Sequence, residues 1–164
     1  MKRTPFFFVL FSFIILLAAC SSIDCPLNNK VQANYCIYNY RGDSIALEDS
    51  LSIVINRKSP LEDTVLINRI SGKHMFSLTM SNNQREDEFY LIYWNKEEEY
   101  IDTIRVTKED KPHFETVDCA ATYFHTITDV WSTHNIIDSI VINHKTVDYD
   151  SQKKHFKLYL HIGF

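Results

Sequence analysis

The sequence predicts an all-β protein, an antiparallel β-sandwich of immunoglobulin-like or similar type. Three observations predict it. Beyond residue 30, apolar and polar residues alternate with a period of two in one run after another, as in strands with one buried face. Short polar segments rich in turn-forming residues separate these runs at nearly regular spacing. Strand-favouring Ile, Val, Tyr, Phe and Thr are abundant, whereas Gly occurs only three times.

Seven runs carry the alternation, and each predicts a strand. In chain order they read DSLSIVINRK, EDTVLINRI, HMFSLTM, DEFYLIYW, YIDTIRVTK, DSIVINHKTV and HFKLYLHIGF. Their inward positions predict a core of Leu51, Ile53, Phe76, Leu78, Leu91, Ile104, Val106, Ile140, Ile142, Phe156, Leu158 and Leu160. In the second run, Val65 and Ile67 share one face. The last run, over residues 155–163, is expected inside a sheet, and a turn near residues 129–134 is the only helical candidate.

The first twenty residues predict a signal peptide. The chain opens with Lys2 and Arg3, and an apolar run from Phe6 to Ala19 follows that only Ser12 interrupts. A run of this length makes a helix of about 21 Å at about 1.5 Å per residue. That is short of the roughly 30 Å core of a bilayer. The pattern is therefore typical of a cleaved export signal behind a positive start.

The end of this run resembles a bacterial lipoprotein signal. Leu17-Ala18-Ala19-Cys20 is similar to the lipobox, in which an apolar residue and two small residues precede an invariant cysteine. The resemblance implies that Cys20 receives a diacylglycerol group and becomes the first residue of the mature chain. The alternative is an ordinary secretory signal with an incidental Cys20. We expect a lipoprotein signal peptide over 1–19, a lipid-anchored tether over 20–30 and a single β-sandwich domain over 31–164.

Composition excludes several classes of function. Cleavage before Cys20 would leave 15 basic and 21 acidic side chains, a net charge of −6. An acidic chain lacks the basic patch that nucleic-acid binding requires, and it does not dock on anionic lipid by charge. With three glycines in all, the chain has no Gly-rich phosphate loop, so no nucleotide cofactor is expected.

Three cysteines remain after Cys20, and an exported protein can form disulfides. Cys25 can pair with Cys36 across a short loop or with Cys119 far along the chain, and spacing alone does not decide between them. Cys25 and Cys119 each follow an Asp at the edge of a predicted ordered segment. Cys36 lies within the apolar stretch YCIYNY, where a buried free thiol behaves as a small hydrophobic group.

A set of short motifs covers almost all of the mature chain. They are Asp24-Cys25-Pro26, Asp49-Ser50-Leu51, Asp102-Thr103-Ile104, Asp118-Cys119, Phe124-His125, the segment THNIIDSI at 133–140 and the terminal HFKLYL. Together they resemble an uncharacterised family of small Bacteroidetes lipoproteins, a domain of unknown function. The resemblance implies an envelope location, a β-rich fold and a Cys25–Cys119 disulfide. It brings no catalytic residue, and Cys36 is an addition to the pattern.

Metal sites are not predicted. Several Asp residues precede Cys, Ser or Thr at strand boundaries and offer oxygen ligands for Ca²⁺, but no D-x-D-x-D-G loop occurs. Asx-turns at the start of strands explain them better. Seven histidines suggest zinc, yet His155 and His161 lie six residues apart on one strand, about 20 Å at roughly 3.3 Å per residue. We interpret the histidines as surface residues.

Aromatic residues offer the best candidate for a ligand platform. Tyr and Trp stacked on an open sheet face suit a sugar or peptide ligand, although they also fill sandwich interiors. The face that carries Tyr90, Ile92 and Trp94 is the best candidate for such a platform.

These observations predict a lipid-anchored, non-catalytic binding module of the bacterial envelope, in the outer membrane. A glycan or a protein is the expected ligand, and no cofactor is expected. The rival prediction is an assembly accessory whose exposed sheet edge pairs with another envelope protein by strand addition. An enzyme is a third reading, but no G-x-S-x-G elbow marks a nucleophile.

Overall fold

The computed structural model describes residue 25, residues 31–57 and residues 61–161. The predicted signal peptide, Cys20 and the tether other than Cys25 lie outside these described residues. The end of the last predicted strand, from residue 162 onward, also lies outside them. Lipidation of Cys20 therefore stays a prediction.

The described residues form ten strands and no helix. In chain order the strands are β1 (Gln32–Tyr38), β2 (Ser50–Asn56), β3 (Thr64–Ile70), β4 (Met75–Thr79), β5 (Glu86–Trp94), β6 (Glu99–His113), β7 (Thr122–Ser132), β8 (Ile137–Ile142), β9 (Thr146–Val147) and β10 (Phe156–Leu160). Among these residues, no helix has the length and apolar character to cross a bilayer.

The strands form two sheets, which confirms the prediction of an all-β sandwich. One sheet has four strands in the order β4-β1-β10-β8, and the other has six in the order β3-β2-β5-β6-β7-β9. Every pairing is antiparallel except that of β1 with β10, which is parallel. The last strand lies inside its sheet, between β1 and β8, as its alternation predicted.

The core lies between the two sheets. Ten of the twelve predicted core residues are buried, and the other two, Ile140 and Ile142, are half-buried and pack against the same cluster. β1 adds Ala33, Tyr35 and Ile37 to this core. The Tyr35 ring stacks between aromatic neighbours, at 5.1 Å from the Phe76 ring and 4.5 Å from the Phe156 ring. Period-two alternation therefore located most of the core correctly.

One local prediction is wrong. Residues 129–132 belong to β7 and form no helical turn. A register shift between Thr107 and Lys108 leaves an extra residue in β7, and this bulge breaks the alternation from which a strand is recognised. Val65 does not face the core, since its side chain is 58 % exposed. β3 is an edge strand whose register to β2 shifts twice, so its apolar positions do not all reach the interior.

A buried carboxylate holds the connection between β7 and β8. Asp102, on β6, accepts hydrogen bonds from the backbone N–H groups of Asn135 (2.8 Å), Ile136 (2.7 Å) and Ile137 (3.0 Å) and from the Thr133 hydroxyl (2.5 Å). Burial alone would raise the pKa of Asp102, but these donors outweigh it and hold the pKa below its ordinary value. An Asx-turn was the wrong interpretation of Asp102, because its partners lie more than 30 residues along the chain.

Cys25 and Cys119 form a disulfide, with Cα atoms 5.7 Å apart. This is the pair that the family resemblance implies. The bridge spans 94 residues of sequence and joins the chain before β1 to the loop between β6 and β7. Cys36 is a free, buried thiol on β1, and burial raises its pKa.

Candidate functional site

The predicted platform lies on the outer face of the six-stranded sheet. Along β5, Phe89, Leu91 and Tyr93 are buried, so the alternate residues Tyr90 and Trp94 point away from the core. Trp94 is 38 % exposed. The two aromatic residues lie four positions apart on one strand, about 13 Å at roughly 3.3 Å per residue.

Neighbouring strands enlarge this surface. Ile101 on β6 is the register partner of Ile92 and is 46 % exposed. Trp131 on β7 pairs with Arg105 of β6 and is 49 % exposed. We call the surface formed by Tyr90, Trp94, Ile101, Arg105 and Trp131 the aromatic face. Sequence analysis missed Trp131 as a member because the bulge in β7 hides which way that residue points.

A polar network crosses the centre of the aromatic face. The Glu88 carboxylate accepts hydrogen bonds from Arg105 Nε (2.6 Å), Asn56 Nδ2 (2.7 Å) and the Tyr90 hydroxyl (3.0 Å). Asn56 also donates to the Tyr90 hydroxyl oxygen at 2.8 Å. Partial burial would raise the pKa of Glu88, but these donors hold it below its ordinary value, so the carboxylate is ionised. The network fixes the Tyr90 ring and the Arg105 guanidinium in position.

Each tryptophan of the aromatic face has an arginine above its ring. The Arg105 guanidinium lies 5.1 Å from the centre of the Trp131 ring, and that of Arg69 lies 5.4 Å from the centre of the Trp94 ring. Arg69 has a φ of 49°, in the left-handed region that favours Gly. Its N–H donates to Ser52 Oγ at 3.0 Å, at the point where the register of β2 and β3 shifts. Strained residues of this kind concentrate at functional sites.

The aromatic face combines the groups that bind sugars or peptides. Flat apolar rings pack on the apolar side of a ligand, while the arginines donate hydrogen bonds and the Glu88 carboxylate accepts them. These groups are held by strands rather than by loops, so the surface is already formed before a ligand arrives.

A second concave region lies on the four-stranded sheet. Its volume is about 610 Å³, and Tyr40, Asp138, Ser139, Tyr159 and His161 line it. His161 Nδ1 lies 3.5 Å from Asp138 Oδ1. Its aromatic rings are those of Tyr40 and Tyr159, and no tryptophan lines it, so it offers less stacking surface than the aromatic face.

The interpretation of all histidines as surface residues is wrong for His155. It is fully buried, and its Nδ1 accepts a hydrogen bond from the Asn34 N–H at 2.9 Å. Its Nε2 lies 3.1 Å from the Thr146 carbonyl and donates to it, so the ring is neutral. Burial lowers the pKa of His155, and the Thr146 carbonyl opposes this only in part.

His125 is also buried, within a group of charged residues at one end of the six-stranded sheet. Its Nδ1 lies 2.7 Å from Asp110 Oδ1, and the same oxygen lies 2.7 Å from Lys108 Nζ. Lys108 also donates to the Gln84 carbonyl at 2.8 Å. Burial raises the pKa of the neighbouring Asp87, and its hydrogen bonds from Ser81 and the positive charges of Lys108 and His125 oppose that rise. The charged side chains of this group are therefore paired with one another and with nearby hydrogen-bond partners.

No cluster of three or more His, Cys, Asp or Glu side chains within the described residues could hold a metal ion. The boundary Asp residues and the histidines are therefore not gathered into one site in that part of the chain.

Comparison with known protein families assigns the chain to a family. A family profile matches residues 50–160, more than half of the chain. The chain belongs to that family. It is described as a family of unknown function, DUF6452. The matched segment begins at the start of β2 and ends with β10, so the DUF6452 region contains the aromatic face and the hydrogen bonds of Asp102 to the β7–β8 connection. No curated protein and no solved structure matches the chain.

Proposed function

We propose that this DUF6452 protein is a Bacteroidetes lipoprotein, held on the outer membrane of the cell envelope by a lipid at Cys20. The lipobox-like motif at the end of a short apolar segment supports the anchor. A disulfide in the described domain fits an oxidising compartment outside the cytoplasm. Several acyl chains on one cysteine would hold the protein stably, because a single chain binds a membrane only marginally.

The proposed activity is non-catalytic binding of a glycan on the aromatic face. The observation that carries this proposal is the exposure of Trp94 and Trp131 on one side of a rigid sheet. The buried ionisable residues support a non-catalytic role. Lys108 and His125 both bond to the Asp110 carboxylate, and both are buried away from solvent.

A glycan array tests the proposal. The domain from Ser21 onward is applied to immobilised envelope and host polysaccharides, and the bound glycan is then titrated. Substitution of a central aromatic contact costs at least about 2 kcal/mol, so Trp94→Ala and Trp131→Ala should each weaken binding about 30-fold. Tyr40→Ala is the matched control, since Tyr40 is an exposed aromatic residue outside the aromatic face. Equal binding by all three variants would refute the assignment of the site.

A second candidate function is strand addition at β3. β3 is an edge of the six-stranded sheet, and Val65 and Leu66 on it are both exposed. An edge of this kind pairs readily with an extended segment of another protein. Val65→Pro would remove one backbone donor, so it should abolish co-purification of a protein partner from envelope extract. Glycan binding would be unchanged, which separates the two candidates.

A further inference from the structure

The loop between β6 and β7 exposes apolar side chains. Val117 is 97 % exposed and Phe114 is 61 % exposed. These are the two most exposed large apolar side chains among the described residues. Both belong to residues 114–121, which join the end of β6 to the start of β7.

Local bonds hold this loop in place. The Cys119 N–H donates to the Thr116 carbonyl at 3.3 Å, and the Thr116 hydroxyl donates to Cys119 Sγ at 3.2 Å. His113, at the base of the loop, lies 3.3 Å from a Glu115 carboxylate oxygen and stacks on the Phe124 ring at 4.3 Å. The exposure of the apolar side chains is therefore a property of a turn with fixed geometry.

The disulfide places the loop close to the proposed anchor. Cys119 is bonded to Cys25, and Cys20 lies five residues before Cys25. A chain covers at most about 3.6 Å per residue, so Cys20 lies within about 18 Å of Cys25. A lipid on Cys20 would thus hold the loop at the membrane surface. This step rests on the lipidation of Cys20 in the proposed function.

We propose that Phe114 and Val117 insert into the surface of the lipid bilayer beside the anchor. Apolar side chains next to a bilayer lower their free energy by leaving water. Glu115 and Asp118 each directly follow one of the two apolar residues, and their charge favours a zwitterionic surface over an anionic one. The expected contact is therefore with a zwitterionic bilayer, whose interior below the headgroups is apolar.

This contact would also set the orientation of the aromatic face. Trp131 lies nine residues along β7 from Thr122, where the strand leaves the loop. At about 3.3 Å per residue, that strand carries Trp131 about 30 Å from the loop. The aromatic face would then project away from the membrane, toward ligands in the surrounding space.

Tryptophan fluorescence in the lipidated full-length protein tests the insertion. In a Trp94→Phe, Trp131→Phe background, Val117→Trp supplies a single reporter in the loop. The protein is reconstituted in phosphatidylcholine vesicles with and without bromine on the acyl chains. We expect a blue-shifted emission and strong quenching by brominated lipid. The matched control is Val65→Trp in the same background, an exposed valine on the edge strand β3, which should remain unquenched.

The outcomes separate this inference from the anchor. Co-sedimentation and the mass of the N-terminal peptide are measured on the same sample, with Cys20→Ala as the unanchored form. A lipidated, sedimenting protein whose residue 117 is unquenched would overturn the insertion alone. Equal quenching at both positions would also overturn it, as non-specific adsorption. A blue shift without quenching would show that residue 117 packs against protein, in the same chain or in a second copy, and would overturn the insertion too. An unlipidated Cys20 would refute the anchor and this inference with it.

Discussion

The two sheets differ in how far the side chains on their outer faces are exposed to solvent. On the four-stranded sheet, Asn34 and Cys36 point outward from β1 yet are buried. The Asn34 side-chain amide donates to the carbonyls of Ser151 (2.9 Å) and Lys153 (2.7 Å), so the segment before β10 covers this face. On the six-stranded sheet, Trp94 and Trp131 point outward and are exposed.

The difference separates residues that stabilise the fold from residues that are exposed and free to contact a ligand. We call the outer face of the four-stranded sheet at Asn34 and Cys36, with the segment before β10 that lies over it, the covered face. Its buried polar groups are hydrogen-bonded, so its residues contribute to stability. The aromatic face exposes large apolar rings, and such surfaces mark interaction sites more often than they stabilise a monomer. Changes on the first face should therefore alter the free energy of unfolding, and changes on the second should alter binding.

The largest expected effect is the loss of Asn34. Its side chain donates to two carbonyls and accepts a hydrogen bond from the Ser77 hydroxyl at 2.7 Å. Asn34→Ala removes three hydrogen bonds of a buried side chain, each with a net contribution of about 0.5–1.5 kcal/mol, so we expect a loss of about 3 kcal/mol. Urea unfolding measures it. Gln32→Ala, a partly exposed position on the same strand, should change the free energy of unfolding by less than about 0.5 kcal/mol. Equal losses would contradict the division between the faces.

The aromatic face should show the reverse behaviour. Trp94→Ala and Trp131→Ala each remove an exposed ring and one cation–π contact, so each should cost no more than about 1 kcal/mol of stability. Their glycan affinity should fall about 30-fold, as argued above from a loss of about 2 kcal/mol. Calorimetric unfolding and ligand titration on the same samples compare the two effects. A variant that loses several kcal/mol of stability would place its tryptophan among the structural residues.

The covered face should also make stability depend on pH. Burial lowers the pKa of His155 in the folded protein, whereas an unfolded His titrates near about 6.5. As pH falls below that value, the unfolded chain binds a proton that the folded chain does not, so the free energy of unfolding decreases until pH reaches the folded pKa. The loss is about 1.4 kcal/mol for each pH unit between the two pKa values.

The pH effect is measured by urea unfolding between pH 7.5 and 5.5. The lowered pKa of His125 acts in the same direction, and the raised pKa of Asp87 acts in the opposite one. NMR titration of the His155 ring protons therefore assigns the contribution of the covered face. A His155 resonance that titrates at or above its ordinary pKa would contradict the prediction.

The smallest expected effect concerns the strain at Arg69. Its φ of 49° suits Gly. Arg69→Gly and Arg69→Ala both remove the guanidinium from above Trp94, but only Ala keeps a Cβ in the left-handed conformation. Gly should therefore be more stable than Ala by about 1 kcal/mol. Thermal unfolding of the two variants gives the difference, and a more stable Ala variant would show that the backbone is not strained there.

Strands that alternate between an apolar inward face and a polar outward face were predictable. β1 was not predicted, because it is buried on both faces and its residues do not alternate clearly. β5 and β10 alternate cleanly, so their core residues were predicted correctly. β7 buries His125 and Ser132 and contains a bulge, so its pattern resembles no strand. The candidate site divides in the same way. Tyr90 and Trp94 share one regular strand, whereas Arg69 and Trp131 reach the aromatic face only through shifts in register.

The parallel pairing of β1 with β10 has a consequence for when the chain can fold. β1 is the first and β10 the last of the described strands, and the buried contact between Asn34 and His155 joins residues 121 positions apart. The centre of the four-stranded sheet cannot form until β10 is present. Folds dominated by such distant contacts form slowly, because the chain must close a long loop before any contact compensates. A chain emerging from a ribosome or crossing a membrane would remain open until its last strand arrived.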